Sequence, residues 1–150
     1  MSAADAAAVG EEPGVARVVA TFGRQVLVET SAGERIRCQT RGKKSELVVG
    51  DRVHWQAAGD GGVVTGMLER SSLFFRQDEW RTKSFAANLD QLLVLLAVDP
   101  PSSESQLARA LIAARAADVP AFIGLNKVDL PGVEQARSRL SAYVAMGVPV

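Results

Sequence analysis

Cysteine and histidine are almost absent from this sequence of 150 residues, which contains one of each, Cys38 and His54. A single cysteine excludes an intramolecular disulfide and a cysteine-rich zinc site, and it is typical of the reducing cytoplasm. A lone histidine without a suitable partner excludes a Ser-His-Asp triad. We therefore interpret His54 as an ordinary strand residue and Cys38 as a small core side chain.

Long hydrophobic runs are also missing. The longest, Leu92 to Val98, is far shorter than the roughly 18 residues of a membrane helix. Residues 1–14 contain no lysine or arginine and so lack the charged region of a signal peptide. We expect a cytoplasmic protein with no membrane partner, and we interpret residues 1–14 as a disordered acidic tail.

The net charge is zero, with 17 basic and 17 acidic residues, which excludes a uniformly basic nucleic-acid-binding protein. The charge is uneven, however, because residues 15–83 hold 12 bases and 8 acids. One interpretation of the densest basic run is a solvated loop and its flanking strand. The other is contact with the phosphates of RNA. The run consists of Arg35, Arg37, Arg41, Lys43 and Lys44.

Residues 15–70 alternate apolar and polar side chains in short runs separated by glycine-rich turns, a pattern typical of strands. Val26 and Val28, for example, lie on one face of their strand, and Val53 and Trp55 lie on one face of theirs. Five short strands favour a small closed barrel, of the OB type or, as the alternative, the SH3-like type. The predicted strands are Val15–Thr21, Gln25–Glu29, Arg35–Gln39, Asp51–Gln56 and Val63–Glu69.

From residue 89 the pattern changes to that of a parallel α/β unit. Two apolar runs predict buried strands, Gln91–Val98 and Ala121–Leu125. A helix is predicted from a capping box of Ser103 and Gln106 to near Asp118, and a second from about Pro131. Val148 to Val150 opens a third strand. Two helices cannot cover both faces of such a sheet, so we expect this domain to be incomplete.

The segment Asn126-Lys127-Val128-Asp129 directly follows the second apolar strand and matches the N-K-x-D element with which GTPases read guanine. A carboxylate accepts hydrogen bonds, and guanine offers two neighbouring donors, its N1–H and its 2-amino group. Adenine presents a lone pair there instead and is rejected. The alternative is a turn in which Asp129 merely caps the following helix.

Several further segments carry a resemblance to a known family. They are Val49-Gly50-Asp51-Arg52-Val53, Leu68-Glu69-Arg70, Phe75-Arg76, Lys83 with Ala86-Ala87-Asn88-Leu89-Asp90-Gln91, and Leu107 with Arg109. With Asn126 to Leu130, and with a barrel placed before the N-K-x-D element, they resemble the ribosome small-subunit-dependent GTPase A family. The resemblance extends from about Val15 to the end of the chain.

The resemblance implies a monomeric, circularly permuted GTPase that binds the small ribosomal subunit and assists its late maturation. It implies an OB-type barrel contacting rRNA over residues 15–70, a connector over 71–88, and the first part of a permuted P-loop GTPase domain over 89–150. GTP or GDP is the expected ligand, read by Asn126, Lys127, Val128 and Asp129, and the RNA-binding candidates are the five basic residues named above.

The sequence also departs from that family, because it contains no G-x-x-x-x-G-K-[ST] phosphate loop and no Cys/His cluster. The permuted order puts both features, and with them Mg²⁺ and Zn²⁺, beyond Val150. We therefore expect the 150-residue chain to be an N-terminal portion that is inactive alone, with no catalytic residue of its own. The alternative function is a non-enzymatic OB-fold module that binds RNA.

Overall fold

The computed structural model describes residues 14–41, 46–77 and 82–150. The predicted tail lies outside these residues, except for Gly14. Two compact units are present, one formed by the residues up to Ser71 with Phe85–Asn88, the other by Ser72–Ser84 with Leu89–Val150. Within the described ranges, neither helix has the length and apolar character required to cross a lipid bilayer.

The first unit contains a closed five-stranded barrel, as the sequence predicts. Neighbouring strands follow the order β1-β2-β3-β5-β4, and β4 pairs with β1 to close the sheet. All pairs are antiparallel except β3 with β5, which is parallel. This is an OB-type barrel. Its strands are β1 (Val15–Phe22), β2 (Gln25–Thr30), β3 (Arg35–Gln39), β4 (Arg52–Ala58) and β5 (Gly61–Met67).

The barrel core includes the side chains that the alternating pattern places together on one face of their strands. Val26, Val28 and Val53 are fully buried, and Trp55 packs against them while remaining half-buried. Cys38 is also fully buried, which confirms its interpretation as a core residue. Burial raises the pKa of the Cys38 thiol, because the thiolate would lose its hydration there.

A buried ion pair joins the start of β4 to the segment after β5. Asp51 is 0% exposed, and its two carboxylate oxygens accept hydrogen bonds from Nε and Nη2 of Arg70 at 2.7 and 2.8 Å. The backbone N–H of Val48 donates to the same carboxylate at 2.8 Å, and Arg70 also donates to the Glu46 carbonyl at 3.1 Å. These bonds satisfy the buried charge, which would otherwise be strongly unfavourable.

Asn88, at the end of the predicted connector, contacts the residues next to this ion pair. The side chain of Asn88 donates to the Gly50 carbonyl at 2.9 Å and accepts from the Ser71 N–H at 2.8 Å. Gly50 has φ +93°, and a Cβ at this position would overlap the Ala87 carbonyl oxygen. Glycine is therefore required here both for the backbone conformation and for the close approach of Ala87.

The connector forms a two-stranded sheet of β6 (Leu73–Gln77) and β7 (Thr82–Ala87). The sequence pattern predicts no strand in this part of the chain. Residues 78–81, between the two strands, lie outside the described residues.

The second unit contains a parallel β-α-β-α arrangement, as expected. Its elements are β8 (Leu92–Ala97), α1 (Glu104–Ala116), β9 (Ala121–Asn126) and α2 (Val133–Ala145). The Ile123 N–H donates to the Pro149 carbonyl at 2.8 Å, so the chain end lies beside β9, opposite β8. This agrees with the predicted opening of a third strand.

Both helices pack on one side of the two-stranded sheet. Leu107 of α1 and Leu140 of α2 share a core with Ile123 and with half-buried Val94 and Leu96. Right-handed connections that advance in one direction across a sheet place successive helices on the same face. The other face is left open: Leu93 is 48% exposed and Leu95 62%. The expectation of an incomplete α/β unit is confirmed.

The predicted capping box at the start of α1 is wrong in its hydrogen bonds, although Ser103 is the N-cap residue. The Ser103 side chain makes no cap hydrogen bond and pairs instead with the Ser105 hydroxyl at 2.9 Å. The hydrogen bond between the two serine hydroxyls therefore takes the place of the predicted cap bond.

Candidate functional site

The segment Asn126–Asp129 lies at the carboxyl edge of the parallel sheet. β8 and β9 pair in register from Leu92 with Ala121 to Ala97 with Asn126, so both strands end at the same edge. Ligands of open α/β sheets bind at this edge, because the loops that follow the strands converge there. The position is therefore suited to ligand recognition.

The backbone turns sharply at Lys127, which has φ +59°. Few non-glycine residues adopt this left-handed conformation, and it costs on the order of 1 kcal/mol. The Lys127 N–H donates to Oδ1 of Asn126 at 2.8 Å. This bond uses one lone pair of the Asn126 amide oxygen and orients its NH₂ group, which is available to donate to a ligand.

The side chain of Lys127 is anchored on the loop after β8. Its Nζ donates to the backbone carbonyl of Asp99 at 2.7 Å. Asp99 is not among the site residues that the sequence pattern predicts. The available signal was its position, since Asp99 follows one strand at the edge where Lys127 follows the next.

Asp129 is exposed, and its carboxylate makes no hydrogen bond or ion pair with any described residue. It does not cap the next helix, because α2 begins at Val133 and its N-cap is Gly132, with φ +95° and no side-chain bond. The capping interpretation is therefore wrong. The carboxylate is available to accept hydrogen bonds from a ligand, and Val128 beside it is also exposed.

A cavity of about 370 Å³ opens beside this turn, between the loop after β8 and the start of α2. Its lining includes Asp99, Leu130, Gly132 and Arg139, but neither Asn126 nor Asp129. The two candidate base-reading side chains therefore lie on the open surface of the sheet edge.

Across the described ranges, no three histidine, cysteine, aspartate or glutamate side chains lie close enough together to hold a metal ion. The location of Mg²⁺ and Zn²⁺ beyond Val150 stays a prediction.

The basic candidates of the barrel are only partly described. Arg35 and Arg37 lie on the outer face of β3, where they alternate with half-buried Ile36 and buried Cys38. Arg41, just after β3, is exposed as well. Lys43 and Lys44 lie outside the described residues. Nε of Arg35 donates to Glu29 on the neighbouring strand at 2.8 Å, so one of the candidates has an internal partner.

Comparison with known proteins identifies relatives that cover nearly all of the chain. The family model described as RsgA GTPase matches residues 67–150. A protein of Variovorax paradoxus (strain S110), named small ribosomal subunit biogenesis GTPase RsgA, is 55% identical over 130 residues, which are 86% of this chain and 41% of the relative. A protein of the same name from Burkholderia pseudomallei (strain K96243) is 45% identical over 147 residues, 96% of this chain and 47% of the relative.

A solved structure, the crystal structure of YloQ, a circularly permuted GTPase, shares the fold. Its TM-score is 0.65 at 22% sequence identity, and the match covers 95% of this chain and 52% of that one. The chain spans less than half the length of the two curated relatives above.

Proposed function

The chain belongs to the RsgA GTPase family, and we propose that the protein is a GTPase of ribosome biogenesis that binds the small ribosomal subunit and assists its late maturation. Residues 15–70 form its rRNA-contacting barrel, residues 71–88 the connector and residues 89–150 the first part of the GTPase domain. A monomeric state and a cytoplasmic location belong to the same proposal.

The observation that carries the nucleotide part is the unpaired, exposed carboxylate of Asp129 at the carboxyl edge of the sheet. In this proposal the carboxylate accepts from N1–H and the 2-amino group of guanine. The NH₂ group of Asn126, whose oxygen already accepts from Lys127, faces the acceptor edge of the base. The stem of Lys127, anchored at the Asp99 carbonyl, supplies an apolar surface for the ring.

The chain recognises the base and does not hydrolyse the nucleotide by itself. A phosphate loop, which cradles the β- and γ-phosphates in P-loop GTPases, is absent from the 150 residues. Hydrolysis of GTP to GDP and phosphate, with any Mg²⁺ that it requires, is therefore assigned to the protein with its complete GTPase domain.

Isothermal titration with GTP, GDP and ATP tests the nucleotide part of this proposal. The sample is a version of the protein that includes the complete GTPase domain. We expect both guanine nucleotides to bind and ATP to bind far more weakly, because adenine lacks the two donors that Asp129 accepts. Failure to bind any nucleotide would favour the alternative, a non-enzymatic OB-fold module that binds RNA.

Neutralising the basic run after β3 tests the RNA part. The triple variant Arg41→Gln, Lys43→Gln and Lys44→Gln should reduce the salt dependence of small-subunit binding. The negative slope of log K against log salt should become shallower by about one per lost phosphate contact. Binding measured at several salt concentrations gives the slope. The control replaces Arg115 and Arg137, exposed residues of the two helices, with glutamine. An unchanged slope in the triple variant would assign RNA binding to another face.

A further inference from the structure

A line of charged side chains crosses the outer face of the barrel. The strand register places Arg52 of β4 directly opposite Arg17 of β1, Arg17 opposite Glu29 of β2, and Glu29 opposite Arg35 of β3. Directly opposite residues of paired strands point to the same side of the sheet. Strands lie about 4.8 Å apart, so the line extends roughly 14 Å across four strands. We call it the arginine row.

The arginine row holds three guanidinium groups and one carboxylate. Glu29 is its one acid, and it is engaged by Arg35 at 2.8 Å. Arg17 is exposed, Arg52 is half-buried, and neither forms an ion pair with a described residue. Like charges directly opposite each other on a sheet destabilise the pairing. An external anion that binds both side chains would remove that repulsion.

The chemistry of the face favours phosphate over bases as the bound group. Guanidinium groups bind phosphate oxygens through two parallel hydrogen bonds, and Arg37 adds a further guanidinium next to Arg35 on the same face. Recognition of unpaired bases depends on aromatic side chains that stack on them. The arginine row itself carries no aromatic side chain, and exposed Phe22, opposite Gln25 on this face, lies at the far end of β1 from Arg17.

We propose that the arginine row binds the phosphate backbone of RNA, with Arg17 and Arg52 as its principal contacts. This inference rests on the rRNA contact of the proposed function and assigns it mainly to two residues, Arg17 and Arg52, that are not among the basic candidates of the sequence. Arg35 contributes less, because Glu29 already neutralises it. The row lies on the strands themselves and does not include the run from Arg41 to Lys44.

The test measures binding of the protein to isolated small subunits and to a defined rRNA hairpin, as a function of salt. The double variant Arg17→Gln, Arg52→Gln should make the negative slope of log K against log salt shallower by about two on both ligands. The single variant Arg35→Gln should have a smaller effect. The matched control is Arg115→Gln, Arg137→Gln, which removes the same charge from the two helices.

Thermal unfolding provides the second readout. Because the double variant removes a like-charge pair, its melting temperature should be unchanged or higher while its RNA affinity falls. The variant Arg17→Lys, Arg52→Lys keeps both charges and should keep the wild-type slope, which separates loss of charge from loss of fold.

Three results would overturn the inference, and each leads to a different conclusion. If the wild-type protein binds neither ligand, the RNA part of the proposed function fails and the arginine row fails with it. If the wild type binds but the double variant keeps its slope, the row alone is refuted. If the double variant loses only small-subunit binding and binds the rRNA hairpin normally, the row contacts an acidic protein surface rather than RNA.

Discussion

Replacing Asp129 with alanine should abolish the preference for guanine nucleotides over ATP. The variant removes the acceptor of two hydrogen bonds, and a hydrogen bond to a charged group contributes about 1.5–3 kcal/mol. Guanine affinity should therefore fall by about 3–6 kcal/mol, or roughly 10²- to 10⁴-fold, while the weak binding of ATP changes little. Titration of the protein with its complete GTPase domain measures both affinities.

Two further variants distinguish base recognition from a general effect of charge. Glu134→Ala removes an exposed acid from the first turn of α2 and should leave nucleotide selectivity intact. Asp129→Asn places an NH₂ donor against the donors of guanine, so this variant should also have a lower affinity for GTP. It should gain affinity for xanthosine triphosphate, whose base has an oxygen acceptor in place of the 2-amino group. Selectivity that persists in Asp129→Ala would refute the assignment of this carboxylate.

The second large effect is expected at the buried ion pair of the barrel. Arg70→Met should lower the free energy of unfolding by about 3–5 kcal/mol, because it leaves the fully buried Asp51 carboxylate without its cation. The hydrogen bond to Asp51 is the main cause of the raised pKa of Arg70. The Arg70 guanidinium therefore stabilises the fold as long as it is protonated. That contribution is lost only as the pH rises through this raised pKa, so the effect should be present at neutral pH. Denaturant unfolding followed by circular dichroism measures it.

Asp51→Asn is the informative companion variant. Its side chain is neutral, and the Arg70 side chain left behind is 20% exposed and can reach water, so its cost should be smaller than that of Arg70→Met. The double variant should be less destabilised than the sum of the two single variants, because the unpaired charge is gone. Equal and additive effects would mean that the pair does not stabilise the barrel as a unit.

The course of the strands follows from local pattern to a large extent. Strand β3 runs from Arg35 to Gln39 as predicted, and alternation correctly assigns Val26, Val28 and Val53 to the core. Each inference needs only neighbouring residues, because side chains of a strand alternate between its two faces. The capping-box prediction failed although its residues are also neighbours. The motif does not specify that the Ser103 hydroxyl will bond to the Ser105 hydroxyl and not to the helix backbone.

The structure of the connector could not be predicted from local pattern, because it depends on partners that are more distant in the sequence. β6 and β7 form a sheet by pairing with each other, and the segment after β7 is held by Gly50 and Ser71 through Asn88. The quoted sequence matches contain Gly50, Asp51, Arg70 and Asn88. Their spacing does not show that these residues meet, since they lie up to 38 positions apart.

Local sequence pattern was enough to predict the alternation of the barrel strands, the change to a parallel α/β pattern, and the position of Asn126, Lys127 and Asp129 after an apolar strand. Three other features became visible only in the folded molecule: Asp129 is exposed and does not cap α2, Lys127 bonds to the Asp99 carbonyl, and Arg17 faces Arg52. The difference arises because side-chain period and residue chemistry are local properties of the chain. Strand register and ion pairing, in contrast, join residues far apart in sequence, and they are settled by which strands become neighbours when the core is buried.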